Sequence, residues 1–209
     1  LHCLGLYAKD MKALDLPFLF NDDDHAARVL DGRIGQNILR GLQVNKKSQN
    51  VKGLAFTYSG GFTVISTDRE INGVEDLAGL KVRVPHSPVI ADYFSELGME
   101  PVSLELDQMA DAYESDKINA AEITYRRLYE AQGQDYTKSI LHSKHDLFLT
   151  SIIINQDFWN TLSEDLQTVV REAALVAARS EREEAIARSE EHTSELQSHL
   201  NLVCRLLLE

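Results

Sequence analysis

Arg83 is the residue whose type and position most directly suggest chemistry in this chain. It belongs to Lys81–Val84, where alternation places Val82 and Val84 on one face of a strand and Arg83 on the other. Pro85 ends the strand, so Arg83 stands at its C-terminal end, where open α/β sheets bind ligands. A guanidinium can hold a carboxylate with two parallel hydrogen bonds. We therefore expect Arg83 to anchor an organic acid, with a solvated strand residue as the alternative.

The segment after Arg83 predicts a helix that begins close to it. Ser87 and Pro88 are typical of an N-cap and a first helical residue, and Gly98 of a helix end. We expect the positive N-terminus of this helix to face the volume beyond Arg83 and to favour an anion there. His86, in the turn, could donate a further hydrogen bond or be an ordinary loop residue.

The rest of the chain alternates between helical and strand patterns, which indicates an α/β fold. Acidic residues at 22–24 predict the start of one helix, with Leu30, Ile34, Ile38 and Leu42 on its apolar face. A calcium loop starting at Asp22 is the alternative, but its required glycine would fall at Ala27. Residues 54–58 and 63–67 predict two strands separated by Ser-Gly-Gly, and Leu147–Asn155 predicts a buried strand before a long helix.

Composition excludes several functional classes. The chain has 33 acidic and 21 basic residues and a formal net charge of −12, which would repel nucleic acid. No apolar run reaches the about 18 residues that a membrane span needs. Residues 57–61 lack the first glycine of a G-x-S-x-G nucleophile elbow, and neither H-E-x-x-H nor paired C-x-x-C occurs. The sequence therefore predicts a protein that is not an enzyme and has no cofactor and no resident metal.

Four motifs in order connect the chain to a known family. They are residues 16–20 (Leu-Pro-Phe-Leu-Phe), residues 76–85 around Arg83, Ser87-Pro88, and residues 155–159 (Asn-Gln-Asp-Phe-Trp). Over roughly residues 6 to 187 the chain resembles the extracytoplasmic solute-binding subunit of tripartite ATP-independent periplasmic (TRAP) transporters, the DctP family. The resemblance implies a bilobed fold of the type II periplasmic-binding-protein kind, a periplasmic location and capture of a small carboxylate by domain closure. It also implies delivery of that ligand to the TRAP membrane subunits.

The resemblance implies a domain organisation as well. Residues 1–60 correspond to part of lobe I, residues 61–148 to lobe II, and residues 149–187 to a return to lobe I with a bracing helix. The first motif lies well inside a family member, so we expect the N-terminal part of lobe I and the export signal to precede this chain. Residues 188–199 resemble a translated sequencing adapter, and we expect residues 188–209 to be an artefactual tail; a polar helical tail is the alternative.

Further ligand-binding residues are implied by the resemblance. The strand that ends near residue 124 faces the ligand in the family, so Glu122, Thr124 and Tyr125 are candidates. The family often has D-G-x-E-N-P here, and this chain has Asn-Ala-Ala-Glu-Ile-Thr at 119–124. Beside an anion, Glu122 would need to be protonated, to accept from a ligand hydroxyl or amine, or to share a bound cation. A surface glutamate is the alternative.

A second departure from the family lies at residues 61–63. Some members place an arginine there, whereas this chain has Thr63, which offers a hydroxyl without charge. Arg69 is near enough in sequence to replace it. A monocarboxylate or a zwitterion is therefore as compatible with the sequence as a dicarboxylate. Phe62 would supply an apolar wall or belong to the core. A ligand-sensing module of a receptor or regulator with the same fold is the alternative function.

Overall fold

The computed structural model describes residues 8–44 and 50–200. The α-helices are α1 (Asp23–Asp31), α2 (Arg33–Val44), α3 (Pro88–Glu96), α4 (Met109–Glu114), α5 (Tyr125–Glu130), α6 (Gln156–Thr161) and α7 (Glu164–Leu200). The strands are β1 (Val51–Thr67), β2 (Lys81–Val84), β3 (Glu100–Ser103), β4 (Ala120–Thr124), β5 (Ser139–Leu141) and β6 (Leu147–Asn155). Short 3₁₀ helices cover Lys9–Asp15, Val74–Leu77, Leu106–Gln108 and Gly133–Tyr136. The predicted α/β class is confirmed.

Strand β1 belongs to two sheets. Its first half pairs antiparallel with β6, and its second half pairs antiparallel with β4 and β5. The pairing with β6 shifts register between Tyr58 and Phe62, and pairing with β4 begins at Thr63. Gly60 and Gly61 lie in this irregular stretch with φ angles of +95° and +79°, a region that glycine adopts without strain. The Ser-Gly-Gly break predicted from sequence is therefore an irregularity within one strand, just before the strand changes partner. In the second sheet the strand order is β3-β2-β4-β1-β5, with β2 parallel to both β3 and β4.

Each sheet builds its own core. Against the β1–β6 ladder pack α1, α2 and the 3₁₀ helix Lys9–Asp15, which bury Met11, Leu30, Leu39, Leu42 and Phe56. The five-stranded sheet has a core on each face, one with α3 and one with α4 and α5. Helix α7 contacts both β1 and α5, so it lies across the two groups of elements as a bracing helix would. The proposed limits of the lobes at residues 60, 148 and 187 stay predictions.

Two of the predicted helix starts are confirmed. Asp22 caps α1, since its Oδ1 accepts a hydrogen bond of 2.6 Å from the His25 N–H. Ser87 caps α3 with Pro88 at the first helical position. In contrast, the single helix predicted through Leu42 is wrong. Gly32 separates α1 from α2 and shifts the phase of the apolar face, so Ile34 is 58% exposed.

The C-terminal helix α7 begins after Ser163, whose hydroxyl accepts from the Leu166 N–H at 3.3 Å. It is fixed to α1 by a bidentate pair in which Arg182 donates to both carboxylate oxygens of Asp31, at 2.9 and 2.8 Å. Residues 188–200 continue this helix, residues 201–209 lie outside the described part of the chain, and the adapter interpretation stays a prediction. None of the helices in the described part is long and apolar enough to cross a membrane.

The positive φ of Gly60 and its close contact with Thr124 yield a stability prediction. A β-carbon there would lie 2.6 Å from Thr124 Oγ1 and would also require an unfavourable positive φ. Gly60→Ala should therefore lower the free energy of unfolding by about 2–4 kcal/mol, combining backbone strain and overpacking. Gly79→Ala is the matched control, because Gly79 also has positive φ but has no atom within 4 Å of the added carbon. It should lose only about 1–2 kcal/mol. Equal losses in urea denaturation would contradict the steric account.

Candidate functional site

The Arg83 side chain is buried at the end of β2, with 2% of its surface exposed. Its Nε donates to the Leu104 carbonyl at 2.9 Å, and its Nη1 donates to the Glu122 carbonyl at 3.2 Å. Leu104 follows β3 and Glu122 lies in β4, so both neighbours of β2 fix the guanidinium. The solvated alternative for Arg83 is therefore wrong. A guanidinium has five N–H donors, so these two bonds leave others for a ligand.

A cleft of about 560 Å³ lies between the two sheets and contains Arg83 in its wall. From the side of the five-stranded sheet it is lined by Arg83, Pro85, His86, Glu105, Leu106, Arg126, Arg127 and Glu130. From the side of the β1–β6 ladder it is lined by Ser59, Phe148, Thr150, Ser151 and Ile153. The volume is of the size that small-molecule sites have, and the lining combines apolar walls with a few polar groups.

Charge is distributed unevenly within this cleft. The acidic side chains are at the rim, where Glu105 and Glu130 are 67% and 49% exposed. Glu130 accepts from Arg126 Nε at 2.7 Å, and Glu105 Oε1 lies 3.4 Å from His86 Nδ1. The buried guanidinium of Arg83 lies deeper. An anion that enters the cleft would therefore pass the exposed carboxylates of Glu105 and Glu130 and reach the buried guanidinium of Arg83.

Arg127 is a second arginine in the cleft that the sequence interpretation did not select. Its guanidinium carbon lies 4.5 Å from the centroid of the Phe148 ring on β6. Burial lowers the pKa of Arg127 and of Arg83, although the Glu122 carboxylate opposes this effect at both residues. Since arginine stays protonated at neutral pH, the lowered pKa reports a desolvation penalty that a bound anion would relieve. In the sequence, the signal that could have indicated Arg127 is its position in the first turn after β4.

Of the seven residues predicted for the site, the structure brings Arg83 and His86 to the cleft lining. Thr124 lies behind it as the cap of α5, since its Oγ1 accepts from the Arg127 N–H at 3.4 Å. The same hydroxyl donates to the Ser59 carbonyl at 3.2 Å. Tyr125 is buried in the core, with its hydroxyl 2.7 Å from the His142 ring. Thr124 therefore fixes the start of α5 next to the cleft, but its side chain does not line the cleft.

The other three predicted residues, Glu122, Thr63 and Phe62, are not in the lining of the cleft. Glu122 is fully buried, and strand alternation directs its side chain with Ala120 to the α3 face, opposite to that of Arg83. A surface position for Glu122 is therefore wrong. Thr63 donates to the Asp146 carbonyl at 3.2 Å. Phe62 packs against the core of the β1–β6 ladder. The sequence could not show these directions, because they follow from the pairing of β4 with β1 and β2.

Two expectations about positive charge are also corrected. Ser87 Oγ donates to Asp15 Oδ2 at 2.7 Å, so the N-terminus of α3 faces the end of the 3₁₀ helix Lys9–Asp15. Ser87 and Pro88 are not in the cleft lining. Arg69 is exposed, pairs with Asp68 at 3.3 Å and does not line the cleft, so it does not replace the missing arginine at Thr63.

Behind the sheet, His145 and Asp146 are buried next to each other. His145 stacks on Tyr93 at 5.5 Å, and burial lowers its pKa to about 3. Burial raises the pKa of Asp146 well above its usual value, and the charges of Glu122 and Asp15 add to that rise. Within residues 8–44 and 50–200, no three His, Cys, Asp or Glu side chains are arranged to hold a metal ion.

Comparison with known proteins identifies the class. The model of the family described as bacterial extracellular solute-binding protein, family 7 (DctP) matches residues 2–205. The chain belongs to this family.

Similar proteins include several with a known ligand. The chain is 25% identical over 168 residues to the C4-dicarboxylate-binding periplasmic protein DctP of Rhodobacter capsulatus, covering 80% of this chain and 49% of that protein. It is 27% identical over 172 residues to the 2,3-diketo-L-gulonate-binding periplasmic protein YiaO of Escherichia coli, covering 82% and 51%. A TRAP periplasmic solute-binding protein of Pseudomonas putida F1 with bound D-glucuronate has a similar structure, with a TM-score of 0.91 and 25% identity, covering 99% of this chain and 66% of that one.

These matches confirm the family and the bilobed fold predicted from the motifs. The chain spans about half the length of the curated relatives it matches.

The buried His145 yields a prediction about pH. The pKa of folded His145 is about 3 and its usual value is 6.5, so between these values the unfolded chain binds the proton more readily. The stability that neutral His145 provides is therefore complete above about pH 6.5 and is lost as the pH falls towards about 3. Wild type should lose about 1 kcal/mol more than His145→Gln between about pH 6.5 and 5.5.

Urea denaturation of both proteins across this range measures the difference directly. Asp146 has a raised pKa and contributes with the opposite sign, but it is present in both proteins. Parallel pH profiles for wild type and His145→Gln would show that the folded protein does not hold His145 neutral.

Proposed function

We propose that the protein is the extracytoplasmic solute-binding subunit of a TRAP transporter, which captures a small organic acid and delivers it to the membrane subunits. The observation that carries the proposal is the buried Arg83 guanidinium, fixed by two carbonyls and lining a cleft between two sheets. Its location would be the periplasm. The family match favours this function over a ligand-sensing module.

Capture would begin when the ligand carboxylate docks on Arg83. The carbonyls of Leu104 and Glu122 are neutral partners, so the guanidinium retains its charge for an anion. A bidentate carboxylate would replace the solvation that burial removes, which is the source of affinity. No bond is made or broken, so the process is binding and not catalysis.

Retention would follow from closure of the cleft. The two walls belong to two sheets that share β1, and the irregularity at Gly60 and Gly61, just before β1 changes partner, lies at their junction. A rotation there would bring Phe148 and Ser151 over a ligand held on Arg83, and ligand binding would shift the population to the closed form. The closed form would be the one that the membrane subunits recognise.

The ligand class follows from the lining and from the named relatives. C4-dicarboxylates, 2,3-diketo-L-gulonate and D-glucuronate, the ligands named for those proteins, all carry a carboxylate. In this cleft the hydroxyls of Ser59 and Ser151 and the imidazole of His86 could bind the polar remainder of such a ligand. We propose His86 as a contact at the rim.

We also propose the lobe assignment made from the sequence. Residues 61–148 would form the lobe that carries Arg83, and residues 1–60 together with 149–187 would belong to the other lobe. Residues 188–209 would be an artefactual tail.

Replacing Arg83 tests the proposal. In the complete protein, Arg83→Gln should weaken binding of an organic acid by about 2–5 kcal/mol, because the carboxylate loses its charged partner in a desolvated site. The affinity of Arg83→Lys should lie between those of wild type and Arg83→Gln. Lysine keeps the positive charge but cannot form the two parallel hydrogen bonds of a guanidinium. Isothermal titration calorimetry across a panel of organic acids measures these affinities.

Arg69→Gln is the control, because Arg69 is exposed and paired with Asp68 outside the cleft. It should leave affinity unchanged. Thermal melting of each variant verifies folding. Affinity that is the same in wild type and in folded Arg83→Gln, for every acid that binds, would refute Arg83 as the anchor.

A further inference from the structure

We propose that Arg127 is the specificity-determining residue of the cleft and binds a second carboxylate of the ligand, so that the protein prefers dicarboxylates over matched monocarboxylates. The inference rests on the proposed function of Arg83 and deepens it. Some family members place an arginine at residues 61–63, but here the Thr63 hydroxyl donates to the Asp146 carbonyl and Arg69 lies outside the cleft.

The placement of Arg127 is determined by the start of α5. Thr124 ends β4 and caps α5, accepting a hydrogen bond from the Arg127 N–H itself. The Thr124 hydroxyl also donates to the Ser59 carbonyl on β1, which fixes the helix start against the junction of the two sheets. Arg127 therefore extends from a defined backbone position into the same cleft as Arg83.

Phe148 holds the far end of the Arg127 side chain. The ring lies on β6, in the opposite wall of the cleft, and the guanidinium carbon is 4.5 Å from its centroid. Such a contact is favourable for a cation. It is not a hydrogen bond, so the guanidinium keeps its N–H donors for a carboxylate.

Burial lowers the pKa of Arg127, and the nearby carboxylates of Glu122, Glu130 and Glu105 offset only part of this effect. Arg126, its neighbour, is paired with Glu130 at 2.7 Å. Within the described part of the chain, neither Arg83 nor Arg127 forms an ion pair within 4 Å. Arg83 and Arg127 line the same cleft, and their positive charges repel each other when no ligand is bound. A ligand with two carboxylates would neutralise both, whereas a monocarboxylate would neutralise one.

Matched ligand pairs test the proposal. D-Glucarate and D-gluconate differ at one end, where glucarate has a second carboxylate, and succinate and butyrate form a second such pair. Wild type should bind the dicarboxylate of a pair at least about tenfold more tightly than the monocarboxylate. Arg127→Gln should weaken the dicarboxylate by at least about tenfold and the monocarboxylate by less than about threefold. Arg127→Lys should retain part of the preference, since it keeps the charge.

Arg69→Gln is the control, since it removes an exposed arginine that lies outside the cleft and is already paired with Asp68. It should retain the preference. Phe148→Leu should weaken dicarboxylate binding by an intermediate factor, because Arg127 remains and loses its support. Calorimetry on folded variants gives all of these values.

The outcomes separate the two proposals. If Arg83→Gln abolishes binding of both members of a pair but Arg127→Gln keeps the wild-type preference, Arg127 is not the second receptor and the anchor role of Arg83 stands. If Arg127→Gln weakens binding of the dicarboxylate and of the monocarboxylate by the same factor, the inference is also overturned. Wild-type affinity for both members of a pair in folded Arg83→Gln overturns the anchor role of Arg83 and the proposed capture mechanism with it.

Discussion

The burial of the Arg83 guanidinium is the constraint on which the site depends. Removing a charged group from water is costly unless hydrogen bonds compensate, and here the Leu104 and Glu122 carbonyls accept from it. Those carbonyls are available only when the strands on both sides of β2 are paired in the observed register. The architecture of the five-stranded sheet thus fixes the guanidinium at the edge where the cleft opens.

A second constraint comes from β1, which takes part in both sheets. The glycines at 60 and 61 interrupt the pairing with β6 without strain, and the strand pairs with β4 from Thr63 onward. Because the cleft is formed between these sheets, its shape depends on the angle between them. Thr124 links this junction to α5 through its bond to the Ser59 carbonyl, so the same few residues lie at the proposed hinge and position Arg127.

Local signals in the sequence were sufficient for part of this account. Alternation followed by Pro85 located β2 and Arg83, and Ser87-Pro88 located the start of α3. Signals that depend on distant partners were not sufficient. The direction of Glu122 depends on its register with Ile65, and the position of Arg127 depends on Phe148, more than twenty residues further along the chain. The four-residue spacing of Leu30, Ile34, Ile38 and Leu42 also could not reveal the break at Gly32. The same apolar residues would fit one continuous helix.

The most direct test of the central claim is a crystal structure of the complete protein with an organic acid bound. We expect a carboxylate on the N–H groups of Arg83 that Leu104 and Glu122 leave available, at about 2.7–2.9 Å, with β6 closed over the ligand. An acid bound with its carboxylate elsewhere, and with Arg83 still held only by the two carbonyls, would contradict it.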